Sequence, residues 1–348
     1  MKKFFLLVFC TTFTLVSCQN DETEVNGISN EMTEPQIEIS LPVAEQAQSR
    51  ANTVNPVTEW ENGDKIGLYA VDQGTLTTYR GAQPNLCYKF SKSERKWDFD
   101  VTADTKKPKQ LFLHSGNAVL YAFSPWDKVA EDLTATPLKF NTNVDYLYGT
   151  HRVAPLYVNN QQTSIKLEML HAQTYIAVKL KRSVDHPYNE DGIVTSLKIT
   201  GNTPASQAAA YVKGSYPTTG TLNLTTGAIN TSSATRGDIV VAGFSSGITI
   251  PALSGATAPA TSVYYAMIGP EAASVRKGFQ LVVDGKTHFV PISDCEWKAG
   301  YKYIYTLTIT GKGIEGGDEV DPNNPNDHSG DALVIRPWTN GVNEDYNF

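Results

Sequence analysis

The sequence predicts an all-β protein organised as two domains in tandem, and three observations carry that prediction. Strand-like runs recur every eight to twelve residues or so, the spacing of β-sandwiches and barrels. No stretch carries the long 3.6-residue apolar periodicity of an amphipathic helix. At 348 residues the chain is long enough for two ordinary domains. Hydrophobic residues at 41%, with 17 Tyr against 13 Phe, fit a β-rich globular protein. Only 19% of residues are charged and the formal net charge is −7, so no basic face is available for nucleic acid.

The N-terminus is a targeting segment. Met1-Lys2-Lys3 followed by Phe4–Phe9 is a basic n-region and an apolar h-region, the pattern of a secretory signal peptide and too short to span a membrane. It ends in Leu15-Val16-Ser17-Cys18, which resembles a bacterial lipobox. That resemblance implies acylation of Cys18 and cleavage just before it, giving residues 1–18 as the lipoprotein signal segment. Two or more acyl chains anchor stably where one does not. Loss of Lys2 and Lys3 takes the net charge from −7 to −9. Residues 19–35, opening with Asp21, Glu22 and Glu24, read as a solvated acidic tether. With Cys10 removed and Cys18 lipidated, Cys87 and Cys295 are left, each read as a buried free thiol rather than as partners in a disulfide.

An N-terminal domain is expected over 36–160. Its first strand is Gln36–Val43, where Ile37, Ile39, Leu41 and Val43 alternate onto one face and Pro42 confines the segment to an edge. Residues 44–56 carry weak patterning and contain Arg50-Ala51. The turn residues Asn62-Gly63-Asp64 feed a core strand at Lys65–Val71. Further strands are expected at Thr75–Arg80, Leu86–Phe90, Trp97–Val101, Gln110–His114 and Ala118–Phe123, and Asp127–Leu133 is read as a helical turn or two. The polar segment Val158–Gln162 marks the boundary. A C-terminal domain over 161–348 then opens with Ile165–His171 and Tyr175–Leu180. It continues through Ile193–Thr200, Thr221–Leu224, Asp238–Ala242, Ile248–Ile250, Val263–Ile268, Phe279–Val283, Thr287–Val290 and Tyr301–Thr310. Asp284-Gly285 supplies a type I′ hairpin turn.

Several motifs along this series, in order, resemble the fimbrillin family, the pilin subunits of the lipoprotein-dependent pili of Bacteroidetes. They are Arg50-Ala51, Trp60–Tyr69, Val119–Trp126, Leu170-His171-Ala172, Leu222–Gly227, Trp297–Tyr303 and Ile335–Gly341. The resemblance implies two tandem transthyretin-like β-sandwich domains and a structural, adhesive subunit of cell-surface fimbriae at the outer membrane. It implies other pilin subunits as partners and no enzyme activity. It further implies cleavage by an Arg-specific protease between Arg50 and Ala51, release of the strand carrying Ile37, Ile39, Leu41 and Val43, and refilling of the vacated groove by a strand from another subunit. Leu333–Trp338 reads either as a donor strand or as the last strand of its own domain, and a stalk, anchor or tip role is open. The acidic tether resembles the tract that sends such lipoproteins to the outer face.

Chemistry-bearing patterns are few. Gly243-Phe244-Ser245-Ser246-Gly247 matches G-x-S-x-G, but a strand rather than a helix follows, so a hairpin loop is expected and an esterase is not. Gly311–Gly316 fits G-x-G-x-x-G, yet acidic residues and Pro322 follow, which suits no pyrophosphate. The acidic stretch Asp318–Asp331 departs from a calcium-loop order and reads as a linker. His114, His151, His171, His186, His288 and His328 show no zinc spacing, and no cofactor or metal is expected. Trp97, Trp126 and Trp297 raise one alternative, a surface glycan-binding lipoprotein with the same anchor, although core or rim positions suit them as well.

Overall fold

The structure, a computed structural model, describes residues 60–140, 142, 144–151, 154–201, 216–272, 277–292, 296–311, 313–318, 333–335 and 339–340. Cys18, the 36–43 strand with Ile37, Ile39, Leu41 and Val43, the Arg50-Ala51 step, Cys295 and residues 319–332 lie outside the described residues.

The first strands are β1 (Lys65–Asp72), β2 (Leu86–Ser91), β3 (Lys96–Phe99), β4 (Ala118–Ser124), β5 (Thr136–Lys139), β6 (Leu147–Thr150) and β7 (Leu167–His171). Next come β8 (Thr174–Arg182), β9 (Ile193–Ile199), β10 (Tyr216–Pro217), β11 (Thr219–Leu222), β12 (Ile229–Asn230), β13 (Arg236–Gly237), β14 (Ile239–Val240) and β15 (Ile248–Thr249). The last are β16 (Tyr264–Ile268), β17 (Lys277–Val283), β18 (Lys286–Ile292), β19 (Tyr301–Thr310), β20 (Gly313–Asp318), β21 (Leu333–Ile335) and β22 (Thr339–Asn340).

A seven-stranded sheet in the order β21-β7-β6-β4-β1-β2-β3 forms the first layer. Its interior strand β1 is buried on both faces over Ile66-Gly67-Leu68-Tyr69-Ala70-Val71, which is why its sequence is a nearly unbroken apolar run. One face sends Ile66, Leu68, Leu120, Leu147, Leu167 and Met169 into a core closed by Tyr79, Leu111, Leu113 and Val158 from loops. The other face sends Tyr69 and Phe123 against Leu138 of β5 and Leu222 of β11, so the three-stranded sheet β12-β11-β5 packs there. A hairpin from later in the chain therefore returns to cover the other face of the first sheet.

The second core lies between the sheet β14-β9-β17-β18 and the sheet β16-β8-β19-β20. Ile176, Val178 and Leu180 of β8 meet Leu197, Ile199, Phe279 and Leu281 across it, each strand contributing every second residue. Trp297 is fully buried here and donates its indole N–H to the Tyr305 hydroxyl at 2.8 Å. Tyr175, Ala177, Tyr265 and Met267 are buried on the reverse face of β8 and β16.

Most expected strands form, within a residue or two. Thr75–Arg80 instead makes turns and a single 3₁₀ turn at Tyr79–Gly81, because the Thr75 hydroxyl takes the Thr77 amide at 3.2 Å. Gln110–His114 forms no strand beyond one bridge residue at Phe112. The buried Tyr79 hydroxyl accepts the His114 amide at 2.8 Å and donates to the Gly116 carbonyl at 2.8 Å, standing where a ladder partner would. Asp127–Leu133 holds turns rather than a helix, since the Asp127 and Asp132 carboxylates capture the amides of Val129 and Thr134. Ile165–His171, read as the opening of the second series, joins the first sheet through β6 and the first core through Ile165, Leu167 and Met169.

Candidate strand-addition edge

Strand β7 lies next to the end of the first sheet. Leu167, Met169 and His171 point inward while Glu168 and Leu170 are half-buried, an alternation already visible in the sequence. On one side β6 pairs with it antiparallel, Gly149 opposite Met169. A side chain at Gly149 would place its Cβ 2.1 Å from the Glu168 carbonyl oxygen, so only glycine lets these strands close. On the other side β21 pairs parallel, with Leu333 opposite Leu167, Val334 opposite Glu168 and Ile335 opposite Met169. The C-terminal segment is thus a strand added to the first sheet from far along the chain. Four residues beyond Ile335, at Thr339, β22 begins and pairs parallel with β19 at Tyr301 and Lys302.

The chain changes sheets just beyond β7, across Ala172 and Gln173. The buried Gln173 side chain accepts the Tyr146 amide at 3.0 Å, while its carbonyl accepts the Gly300 amide at 2.7 Å. Thr174 donates to the Lys298 carbonyl at 2.8 Å. Asp145 and His171 form a buried pair with Oδ1 and Nδ1 2.9 Å apart. Just past β6, the buried His151 accepts the Leu120 amide at Nε2 over 2.6 Å, continuing the β4–β6 pairing through a side chain. Burial pushes its pKa down from 6.5 to about 4. His171 lies in a motif quoted above for the family; nothing in the local sequence marks Asp145, His151 or Gln173, whose partners come from distant strands.

Among the described residues, the others singled out in the sequence do not assemble into a site. Trp97 and Trp297 are buried in separate cores, so they make no shared aromatic surface. Trp126 is half-buried, with its N–H on the Asn85 carbonyl at 3.3 Å and the Lys65 ammonium 5.9 Å from its ring centre. Ser245 lies between β14 and β15, which both pair with β9 in the same direction. Its loop is therefore an excursion from one interrupted edge strand rather than a hairpin, and no helix follows to make a nucleophile elbow. Gly311 sits in the tight β19–β20 hairpin, where Thr310 pairs with Gly313. Cys87 is a buried free thiol whose pKa burial pushes up to about 12. Among the described residues no group of three His, Cys, Asp or Glu side chains could hold a metal.

Comparison with known proteins defines the class to which this fold belongs. A family model described as fimbrillin-like matches residues 49–322, which is most of the chain. The chain belongs to that fimbrillin-like family. It is therefore a structural protein of cell-surface fimbriae, adhesive and non-enzymatic, that assembles with other pilin subunits. The fold is similar to that of a candidate cell adhesion protein from Bacteroides uniformis, at TM-score 0.54 and 15% identity over 75% of this chain and 92% of that one. It is also similar to a candidate cell adhesion protein from Bacteroides ovatus, at TM-score 0.51 and 13% identity over 76% of this chain and 88% of that one. No curated protein sequence matches the chain.

Proposed function

We propose that this chain is a pilin exported as an outer-membrane lipoprotein through Cys18, trimmed between Arg50 and Ala51, and assembled by strand exchange. The single observation that carries the assembly step is β21 on β7: a C-terminal strand adds to the edge of the first sheet through backbone pairing. The lipobox ending at Cys18 and the acidic tether support the anchor. Ile37, Ile39, Leu41 and Val43 form the strand released by the cut. At roughly 1.5–3 kcal/mol for each buried apolar side chain, these four hold about 6–12 kcal/mol of gross burial, an upper bound before ordering costs. A subunit deprived of that strand favours a partner that restores it. Two tandem transthyretin-like β-sandwich domains, over 36–160 and 161–348, are the architecture of this reading.

Two experiments test its parts separately. Cys18→Ser should move the protein from the detergent phase to the aqueous phase, and continued membrane partitioning would remove the anchor. Ile39→Asp should lower the melting temperature of the untrimmed precursor, because it buries an unpaired charge, and should leave protein trimmed at Arg50 unchanged. An unchanged precursor would remove the released strand from the mechanism.

A further inference from the structure

We propose that the second sandwich is a mechanical clamp that holds the subunit together under tension, with the parallel ladder between β8 and β19 as the part that carries the load. The tension is the one an adhesive fimbrial subunit bears, and on that point alone the inference rests on the reading above. β8 and β19 run side by side through eight residue pairs, from Tyr175 opposite Lys302 to Arg182 opposite Ile309. The ladder is pinned at both ends. At its start the Gly300 amide donates to the Gln173 carbonyl at 2.7 Å and the Thr174 hydroxyl to the Lys298 carbonyl at 2.8 Å. At its finish the Ser183 amide donates to the Ile309 carbonyl at 2.8 Å. Both strands are interior, β8 between β16 and β19, and β19 between β8 and β20. Ile176 and Val178 are buried with Tyr305 and Leu307 on one face, and Tyr175 and Ala177 are buried on the other. Packed in this way, the ladder bonds are not open to replacement by water one at a time.

Direction decides how such a ladder fails. The chain enters β8 at Thr174 and leaves β19 at Thr310, and because the two strands are parallel those points lie at opposite ends of the ladder. A pull applied there slides one strand along the other. The bonds of a parallel ladder are evenly spaced, so all of them share that load and must fail together. The first sheet is built the other way. β1, β4, β6 and β7 alternate in direction, and Gly67, Phe123, Tyr148 and Leu170 stand in one row across them. The chain therefore enters this sheet at Lys65 and leaves it at His171 on the same end, and a pull between those points opens the strands pair by pair. The first sandwich is the part that yields and the second the part that holds.

The test is optical-tweezers unfolding of the full chain, held by one handle at its N-terminus and a second on an azide-bearing side chain placed either at Lys312, which follows β19 in the chain, or at Lys298, which precedes it. The Lys312 handle loads the ladder in shear. The Lys298 handle pulls on the Tyr175–Lys302 end of both strands and peels them apart. Forced unfolding follows a rate, so both are pulled at one loading rate. The second sandwich should rupture at a force at least about twofold higher through Lys312 than through Lys298, and the first sandwich should give way before it in the Lys312 geometry. Equal forces through the two handles, a lower force through Lys312, or a first sandwich that outlasts the second there would overturn the clamp. Polymer assembly plays no part in this measurement. A directional clamp in a protein that never polymerises would refute the pilin reading alone, and rupture independent of direction in a protein that does polymerise would refute the clamp alone.

Discussion

His151 stands where a β-ladder would place a carbonyl, and its neutral ring is what accepts the Leu120 amide. Burial holds its folded pKa at about 4 against 6.5 when free. Between those values the unfolded chain binds the proton and the folded chain does not. The contribution of His151 is therefore complete above about pH 6.5 and is lost as pH falls towards 4, a difference on the order of 3 kcal/mol. His288, whose pKa burial also lowers, adds a term of the same sign. Melting temperature followed from pH 7 to pH 4 should fall more steeply for the wild type than for His151→Gln, and parallel curves would contradict this assignment. Gly149 offers a second test at this scale. An alanine there must push the Glu168 carbonyl away, so Gly149→Ala should cost about 1–3 kcal/mol in denaturant unfolding. A neutral result would mean that β6 and β7 are not in this register.

At the scale of elements, the loop between β8 and β9 depends on one side chain. Arg182, nearly buried, donates to the carbonyls of Tyr188 at 2.8 Å, Glu190 at 2.8 Å, Asp191 at 2.5 Å and Ile250 at 3.3 Å. Asp284, in the β17–β18 turn, accepts the Gly192 and Ile193 amides at 2.8 Å each and the Tyr188 hydroxyl at 2.7 Å, closing the loop from the other side. Arg182→Met keeps much of the volume and strips carbonyl partners, so a loss of about 2–4 kcal/mol and faster exchange across Val184–Gly192 are expected. If only exchange at β9 changed, the loop would not owe its order to Arg182. Nothing in the local sequence marks Arg182, because its partners are main-chain atoms. Strands β8, β9, β16, β17 and β19 were legible because each has a long alternating or apolar run and a core on at least one side. β5 and β6 were not: each has four residues and contains a residue that disfavours strands, Pro137 or Gly149, and β5 pairs with β11 some eighty residues later. Local pattern carries no information about such a partner. The G-x-S-x-G loop shows the converse, since two strands in sequence imply a hairpin only if they pair with each other.

For the whole molecule, the all-β class and membership of the fimbrillin-like family are legible in strand spacing and in motif order along the chain. The interleaving of the two cores is not. β7 belongs to the core on one face of the first sheet and the β11–β12 hairpin to the core on its other face, although later or intervening strands build the second sandwich, and only the pairing reveals it. Trimming after Arg50 is expected to turn a stable monomer into a subunit that polymerises by strand exchange. The most direct measurement is electron microscopy, with N-terminal sequencing, of Cys18→Ser protein before and after treatment with an Arg-specific protease, beside an Arg50→Gln control. Fibres whose subunits begin at Ala51 are expected, with a control that stays monomeric. Protein that begins at Ala51, keeps its fold and remains monomeric at high concentration would contradict that expectation.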